Sequence, residues 1–295
     1  MIASAPGKVI LFGEHAVVYG RHAVVTAINR RCYAEVKRSS DFRIQSKVGV
    51  SGLDFKKHPY ISYAVKRFRE LRKVEGAEIK IDSEIPLGSG LGSSSAVTVS
   101  VLGALNAEFE GGLTREDVFE IARAVELDVQ GKGSGIDPYI STYGGTWLTP
   151  DKKQFNIEGL QFVVVDSQQS SSTRKMVSRV ARLRDEYPSI IDAVFDVIGH
   201  ISVSSVEHLQ NKDLQALSRL MHFNQCMLQS IEISTEIIDL LVQNLSRAGI
   251  TAKITGAGGG GCVVGVGDEK SIQKALEEYP AFLLEPEKEG VRIED

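Results

Sequence analysis

The sequence predicts an α+β protein in two halves, on three observations. The first eighty residues are mainly short apolar runs of strand type, interrupted by one amphipathic stretch of helical period. A block from about residue 173 to 248 carries successive helical stripes. Glycine-rich stretches separate strand-like from helix-like segments at Pro86–Ser95, Gly131–Gly135 and Gly256–Gly261. With 295 residues the chain is long enough for two domains with a sizeable core.

Taken in order, Lys8–Phe12 is an apolar run closed by Gly13-Glu14-His15, and Ala23–Ala27, Cys32–Val36 and Phe42–Gln45 continue the β character. A helix over about 58–73 places Ile61, Ala64, Val65, Phe68 and Leu71 on one face and Lys66, Arg67, Arg69, Arg72 and Lys73 on the other, a solvated one. Ala77–Asp82 reads as a strand, and Ala96–Leu105 as a buried helix. Thr114 caps the next helix, with Asp117 at its third position. The polar turn Pro150–Lys153 is the expected boundary between a domain over 1–150 and another over 151–295. Beyond it, Phe162–Val165 is a buried strand. The helical block has stripes at Ile190, Ile191, Val194, Phe195, Ile198 and Ile201, at Leu214–Leu228, and at Ile237, Ile238, Leu241 and Leu245, all expected to be core faces. Ile250–Thr255 and Cys262–Val266 are strands around the glycine run, and a helix over about 268–278 precedes a short β tail.

Composition excludes several functions. A hydrophobic fraction of 42% with 24% charged residues belongs to an ordinary globular protein, and a net charge of −4 gives no reason to expect nucleic acid. Cys32, Cys226 and Cys262 are widely spaced, which fits a reducing compartment and argues against a disulfide framework or structural zinc. The opening Met1–Pro6 lacks the pattern of a signal peptide, and no apolar stretch reads as a membrane span. A cytoplasmic protein with no membrane contact is therefore expected.

The chemistry concentrates around Pro86–Ser95. Strand, glycine loop and helix in that order present free backbone N–H groups at a helix N-terminus, which suits a phosphate. Gly88, Gly90 and Gly92 permit positive φ and close approach, while Ser93, Ser94 and Ser95 add hydroxyls. The alternative is a glycine turn capped by serine, with no ligand. Ser93 stands where a Walker loop has its lysine, so any cation must come from elsewhere. The Gly256–Gly261 run is expected to face a ligand or to pack on the phosphate loop, rather than to form a plain hairpin. Lys8, Glu14, His15, Glu126 and Asp137 together supply what phosphoryl transfer asks for: a cation, a carboxylate near the accepting hydroxyl, and hard oxygens for Mg²⁺.

Three stretches then carry a family resemblance. Ala5–Gly20 resembles the first motif of the GHMP kinases, in the form of the branch acting on mevalonate. Pro86–Ser95 resembles the second, phosphate-binding motif, and Lys253–Cys262 the third. Ser134–Gly145 is similar to the segment holding the family's catalytic aspartate. The resemblance spans nearly the whole chain. It implies a ribosomal-protein-S5-domain-2-like N-terminal half and a ferredoxin-like C-terminal half with added helices. It implies Asp137 and Lys8 as catalytic residues and Glu14, His15 and Thr173 as substrate-binding ones. Pro86, Leu87, Gly88, Ser89, Gly90, Leu91, Gly92, Ser93, Ser94 and Ser95 would bind ATP, with Ser94 and Glu126 holding Mg²⁺. Pro138, after the aspartate, and Ser95, where many members have alanine, depart from the commoner pattern. The implied activity is transfer of the ATP γ-phosphate to mevalonate, in a homodimer. Phosphomevalonate or homoserine phosphorylation is the enzymatic alternative, and a non-catalytic binding protein the other.

Overall fold

The structure is a computed structural model that describes residues 1–86, 88–131 and 133–294. Its N-terminal half comprises β1 (Ile2–Phe12), β2 (Ala23–Arg38), β3 (Phe42–Ser46), β4 (Gly49–Ser51), α1 (Pro59–Leu71), β5 (Ala77–Ser83), α2 (Ser93–Glu108), α3 (Arg115–Gln130), α4 (Ile136–Tyr143), β6 (Thr146–Thr149) and β7 (Lys153–Phe155). Then come β8 (Phe162–Asp166), α5 (Thr173–Glu186), α6 (Pro188–Gln210), α7 (Leu214–Ser230), α8 (Glu236–Arg247), β9 (Thr251–Ile254), β10 (Cys262–Val266), α9 (Glu269–Glu278), β11 (Ala281–Leu284) and β12 (Arg292–Glu294).

The first sheet has strand order β12-β1-β2-β5-β3-β4, with β6 on β2 and β7 on β6. Its one parallel pair, among the described residues, is β3 with β5. Helix α2 lies across β1 and β2 and is ringed by α1, α3 and α4. Such a helix must be apolar all round. Val99, Val101, Leu102, Ala104 and Leu105 are all fully buried, on faces that a surface helix would leave polar. Gly103 is needed for contact: a Cβ there would lie 2.9 Å from Val291 and 3.2 Å from Ala3. The Thr114–Asp117 capping box opens α3 as its sequence predicts.

The second sheet runs β11-β8-β10-β9, all antiparallel. In chain order that is 4-1-3-2, the ferredoxin-like arrangement, with α5 to α8 inserted between its first two strands. Division at residue 150 does not match the sheets. The Pro150–Lys153 turn joins β6 to β7 within the first sheet, and β12 returns to pair with β1. Arg31 holds that returning tail, donating to Ser4 Oγ at 2.7 Å, Gly290 O at 2.6 Å and Glu289 O at 3.1 Å.

Two expectations from periodicity need correction. Helix α6 is long and apolar enough, by length and composition, to cross a membrane. Here it packs on α5, α7, β1 and β2, with Asp192 and Asp196 paired to Arg184 and Arg21. The stripes are also not wholly buried, since Ile190 and Ile237 are 61% and 51% exposed. An apolar helix has hydrophobic residues on more than one side, and tertiary packing covers only one.

Candidate active site

The first strand meets the phosphate loop through glycines. β1 shifts register between Pro6 and Lys8, and in that irregularity the Lys8 N–H donates to Leu91 O at 2.9 Å. A Cβ on Gly7 would lie 2.7 Å from Leu91 O, and one on Gly92 2.8 Å from Lys8 Cγ. Only glycine at both places allows strand and loop to touch. Lys8 is thereby buried with its stem against the loop that begins α2. Gly88, Gly90 and Gly92 all have positive φ, as expected. Gly92 is the residue before the helix, and no side chain caps α2. The serine-capped turn is thus not what forms. The helix presents its first N–H groups uncapped, the arrangement that favours an anion.

The carboxylates come from α3 and α4. Asp137, in the first turn of α4, pairs with Lys8 Nζ at 3.1 Å. Glu126 lies near the end of α3, 8% exposed, and its Oε2 accepts from the Gly135 N–H at 3.1 Å. Gly133 and Gly135 close over this carboxylate: a Cβ on Gly133 would lie 2.2 Å from Glu126 Oε2. Burial first, and the Asp137 charge second, push the Glu126 carboxyl up from 4.5 to about 7, against a smaller pull from Lys8. Two carboxylates facing one ammonium leave an excess of negative charge. Together with the Ser94 hydroxyl on the same cavity wall they form a hard-oxygen donor set that fits Mg²⁺.

The sign of the Glu126 shift has a consequence for stability. Between about pH 4.5 and 7 the fold retains a proton that the unfolded chain releases, so this group's contribution falls as pH rises through that window. In the metal-free protein, Glu126→Gln is expected to raise Tm at about pH 8 by a few degrees, with the gap closing towards about pH 5. Calorimetry at both pH values checks this. An equal gap at both would assign the effect to something other than Glu126 ionisation.

The third glycine run braces the first. A Cβ on Gly256 would lie 3.4 Å from Gly90 Cα, and one on Gly261 3.2 Å from Ser89 O. His15 has φ 59°, and its Nε2–H donates to Ala257 O at 2.9 Å; burial pushes its pKa down, so the ring is held neutral. These groups surround one cavity of about 1380 Å³. Lys8, His15, Ser94, Glu126, Asp137 and Thr173 all line it, with Gly88, Ser89, Gly90, Gly92 and Ser93.

Other expected site residues fall elsewhere. Leu87 lies outside the described residues. Pro86, Leu91 and Ser95 are not on the cavity wall; Leu91 and Ser95 are buried in packing, and Pro86 O accepts from Ser89 Oγ at 2.8 Å. Glu14 is the clear correction. It is fully buried and ion-paired to Lys253, so it is not placed to touch a substrate.

The cavity also has walls that the sequence did not reveal. Lys47 and Val48 in the β3–β4 turn, His58 and Tyr60 at the start of α1, and Arg174 on α5 all contribute. His58 is fixed by Ser46 Oγ at 3.0 Å and Ser51 Oγ at 2.8 Å, one ring nitrogen donating and the other accepting. Its environment pushes its pKa down, burial more than the neighbouring Lys57. No spacing rule could join these residues to the glycine loops. The nearest signal was a lone Arg174 beside the expected Thr173.

Comparison with known proteins places the chain in a family. A family model for the GHMP kinases N terminal domain matches residues 59–145, and one for the GHMP kinases C terminal matches 205–283. A mevalonate kinase from Archaeoglobus fulgidus is 52% identical over 295 residues, covering 100% of both chains. The crystal structure of the Methanococcus jannaschii mevalonate kinase superposes with a TM-score of 0.82 at 28% identity, covering 100% of this chain and 98% of that one. The structure of L. major mevalonate kinase in complex with R-mevalonate gives 0.82 at 28% identity, over 96% and 95% of the two chains. Loops, ion pair and matched sequence agree, and the chain belongs to the GHMP kinase family.

Proposed function

We propose that this protein is an ATP-dependent mevalonate kinase, transferring the γ-phosphoryl group to the 5-hydroxyl of (R)-mevalonate. The observation that carries the reading is the Lys8–Asp137 pair, set at 3.1 Å where the uncapped end of α2 meets α4. The names of the full-length relatives supply the acceptor.

In this reading the triphosphate lies along Gly88–Ser94, with backbone N–H groups donating to its oxygens. Tyr60, Ile81 and Ile85 give the cavity an apolar wall suited to the nucleoside. Asp137 takes the proton of the mevalonate hydroxyl as that oxygen bonds to the γ-phosphorus. The bond from that phosphorus to the β–γ bridging oxygen breaks, and ADP leaves. Lys8 stays beside the reacting atoms and offsets charge on the transferring group. Ser94 and Glu126 are the residues to hold Mg²⁺, which when bound supplies positive charge to the β- and γ-phosphates. His15 and Thr173 contact the acceptor, and Arg174 is the cation available for its carboxylate.

Arg174, with Lys47 and Lys57 on the same cavity wall, would also suit a phosphorylated acceptor. The deciding experiment is an ADP-release assay over mevalonate, phosphomevalonate, homoserine and galactose. Turnover is expected on mevalonate. Turnover on phosphomevalonate alone would reassign Arg174 and the substrate, and no turnover on any acceptor would support a binding protein instead.

A further inference from the structure

Among the described residues, the most deeply buried charges lie outside the reacting groups. Lys253, on β9, and Glu14, just after β1, are both fully buried and pair across 239 positions of sequence. Lys253 Nζ also donates to Ile254 O at 2.6 Å. Gln225 of α7 completes the seat, its Oε1 accepting from the Ile254 N–H at 2.9 Å.

As a source of stability this arrangement is poor. Glu14 Oε2, Gln225 Nε2 and both amide atoms of the adjacent Asn224 are buried without a partner; the other such side-chain atom among the described residues is Thr142 Oγ1. An incompletely satisfied polar group in a core is costlier than an apolar filling of the same shape. Its placement, by contrast, is specific. β9 leads directly into Thr255 and the Gly256–Gly261 run, and Glu14 directly precedes His15. Two more hydrogen bonds join the same two segments: Thr255 Oγ1 to Ile10 O at 3.0 Å, and His15 Nε2 to Ala257 O at 2.9 Å. The glycine run thus stitched to β1 is the one that packs on Gly90 and Ser89.

We infer that the Lys253–Glu14 pair is a positioning device for the nucleotide: it fixes the Gly256–Gly261 run against the end of β1, and through that run fixes the phosphate loop. Apolar side chains would hold the same elements together but tolerate small slides along the strand direction. A charge pair with a bonded carbonyl beside it does not. The inference rests on the reading of Gly88–Ser94 as the phosphate site.

The test uses the full chain as Lys253→Met, Glu14→Gln and the double variant, with MgADP affinity measured by calorimetry alongside Tm and steady-state kinetics. Lys253→Met strands Glu14 in the core and is expected to lower Tm substantially. The double variant is expected to regain most of that Tm, because no unpaired buried charge remains. Its MgADP Kd and ATP KM are nevertheless expected to stay raised about tenfold, while the mevalonate KM moves less than about twofold. Recovery of both Tm and nucleotide affinity in the double variant would overturn the inference, since the pair would then be ordinary core. Should both Lys253 variants fail to fold, Gln225→Leu, which removes only the amide under Ile254, is expected to weaken MgADP selectively; unchanged affinity in that folded variant would overturn the inference as well. The two readings fail separately. Wild-type protein that binds MgADP but does not phosphorylate mevalonate overturns the acceptor assignment, and the ADP measurements still decide the role of Lys253.

Discussion

Asp137→Asn is expected to lower kcat by roughly 10²–10⁴-fold while leaving the KM for ATP within a small factor of its original value. Asparagine preserves shape and can still meet Lys8 Nζ through its carbonyl oxygen, so α4 and the cavity wall should be undisturbed. What disappears is the carboxylate that pairs with Lys8 on this wall and can accept a proton from the acceptor. The loop amides that would bind the triphosphate lie on a different element and are unaffected. A second readout separates loss of chemistry from loss of fold. The Asp137 charge helps push Glu126 up to about 7, so its removal should bring Glu126 back towards its ordinary range and leave the metal-free variant at least as stable as wild type at about pH 8. A coupled ADP assay and a thermal melt measure the two effects. Near-normal kcat would remove the proton-accepting role, and a large fall in Tm would reduce the kinetic effect to misfolding.

What could be read in the sequence and what could not follow one physical divide. Glycines at 88, 90 and 92 answer a local backbone demand for positive φ, and such a demand is visible within a few residues of chain. The Thr114–Asp117 box is local in the same way. Lys8 and Asp137 were reached through motif resemblance, because nothing local says that a strand lysine meets a helix aspartate 129 positions later. The burial of Glu14 was illegible for that reason too. Taken alone it reads as a polar residue closing a strand, and only the partner on β9 explains how a carboxylate lies inside the core. Gly133 shows the subtler limit. Its place in a glycine-rich loop gave no reason for the residue, since its φ lies outside the left-handed region and its need is for space, with Glu126 directly beneath it. The returning strand β12 hid the sheet boundary, since pairing with β1 depends on residues at the other end of the chain.

Lys8→Met should have the other large effect, a fall in kcat of about 10²–10³-fold, by loss of preorganised positive charge where negative charge moves during transfer. Methionine matches the lysine stem in bulk and apolarity, so the packing of Gly92 on that stem should survive. The electrostatic change is larger than the steric one. Lys8 opposes the upward shift of Glu126, so its removal pushes that carboxyl above about 7. Protonated Glu126 is a poor partner for a cation-bearing nucleotide, and the affinity for MgATP should therefore begin to fall at a higher pH than in wild type. Acidification weakens MgATP use in both proteins, but the midpoint moves up in the variant. Lys8→Arg should fail to restore kcat. A Cβ added on Gly92 would lie 2.8 Å from Lys8 Cγ and 3.4 Å from Cε, which shows how closely the loop encloses the whole stem. A guanidinium fork in that sleeve would have to displace either the loop or Asp137. The KM–pH profile for MgATP, measured beside kcat in the two variants, tests charge and geometry together. Full activity in Lys8→Arg would mean that positive charge alone suffices and that the enclosure by Gly92 has no part in catalysis.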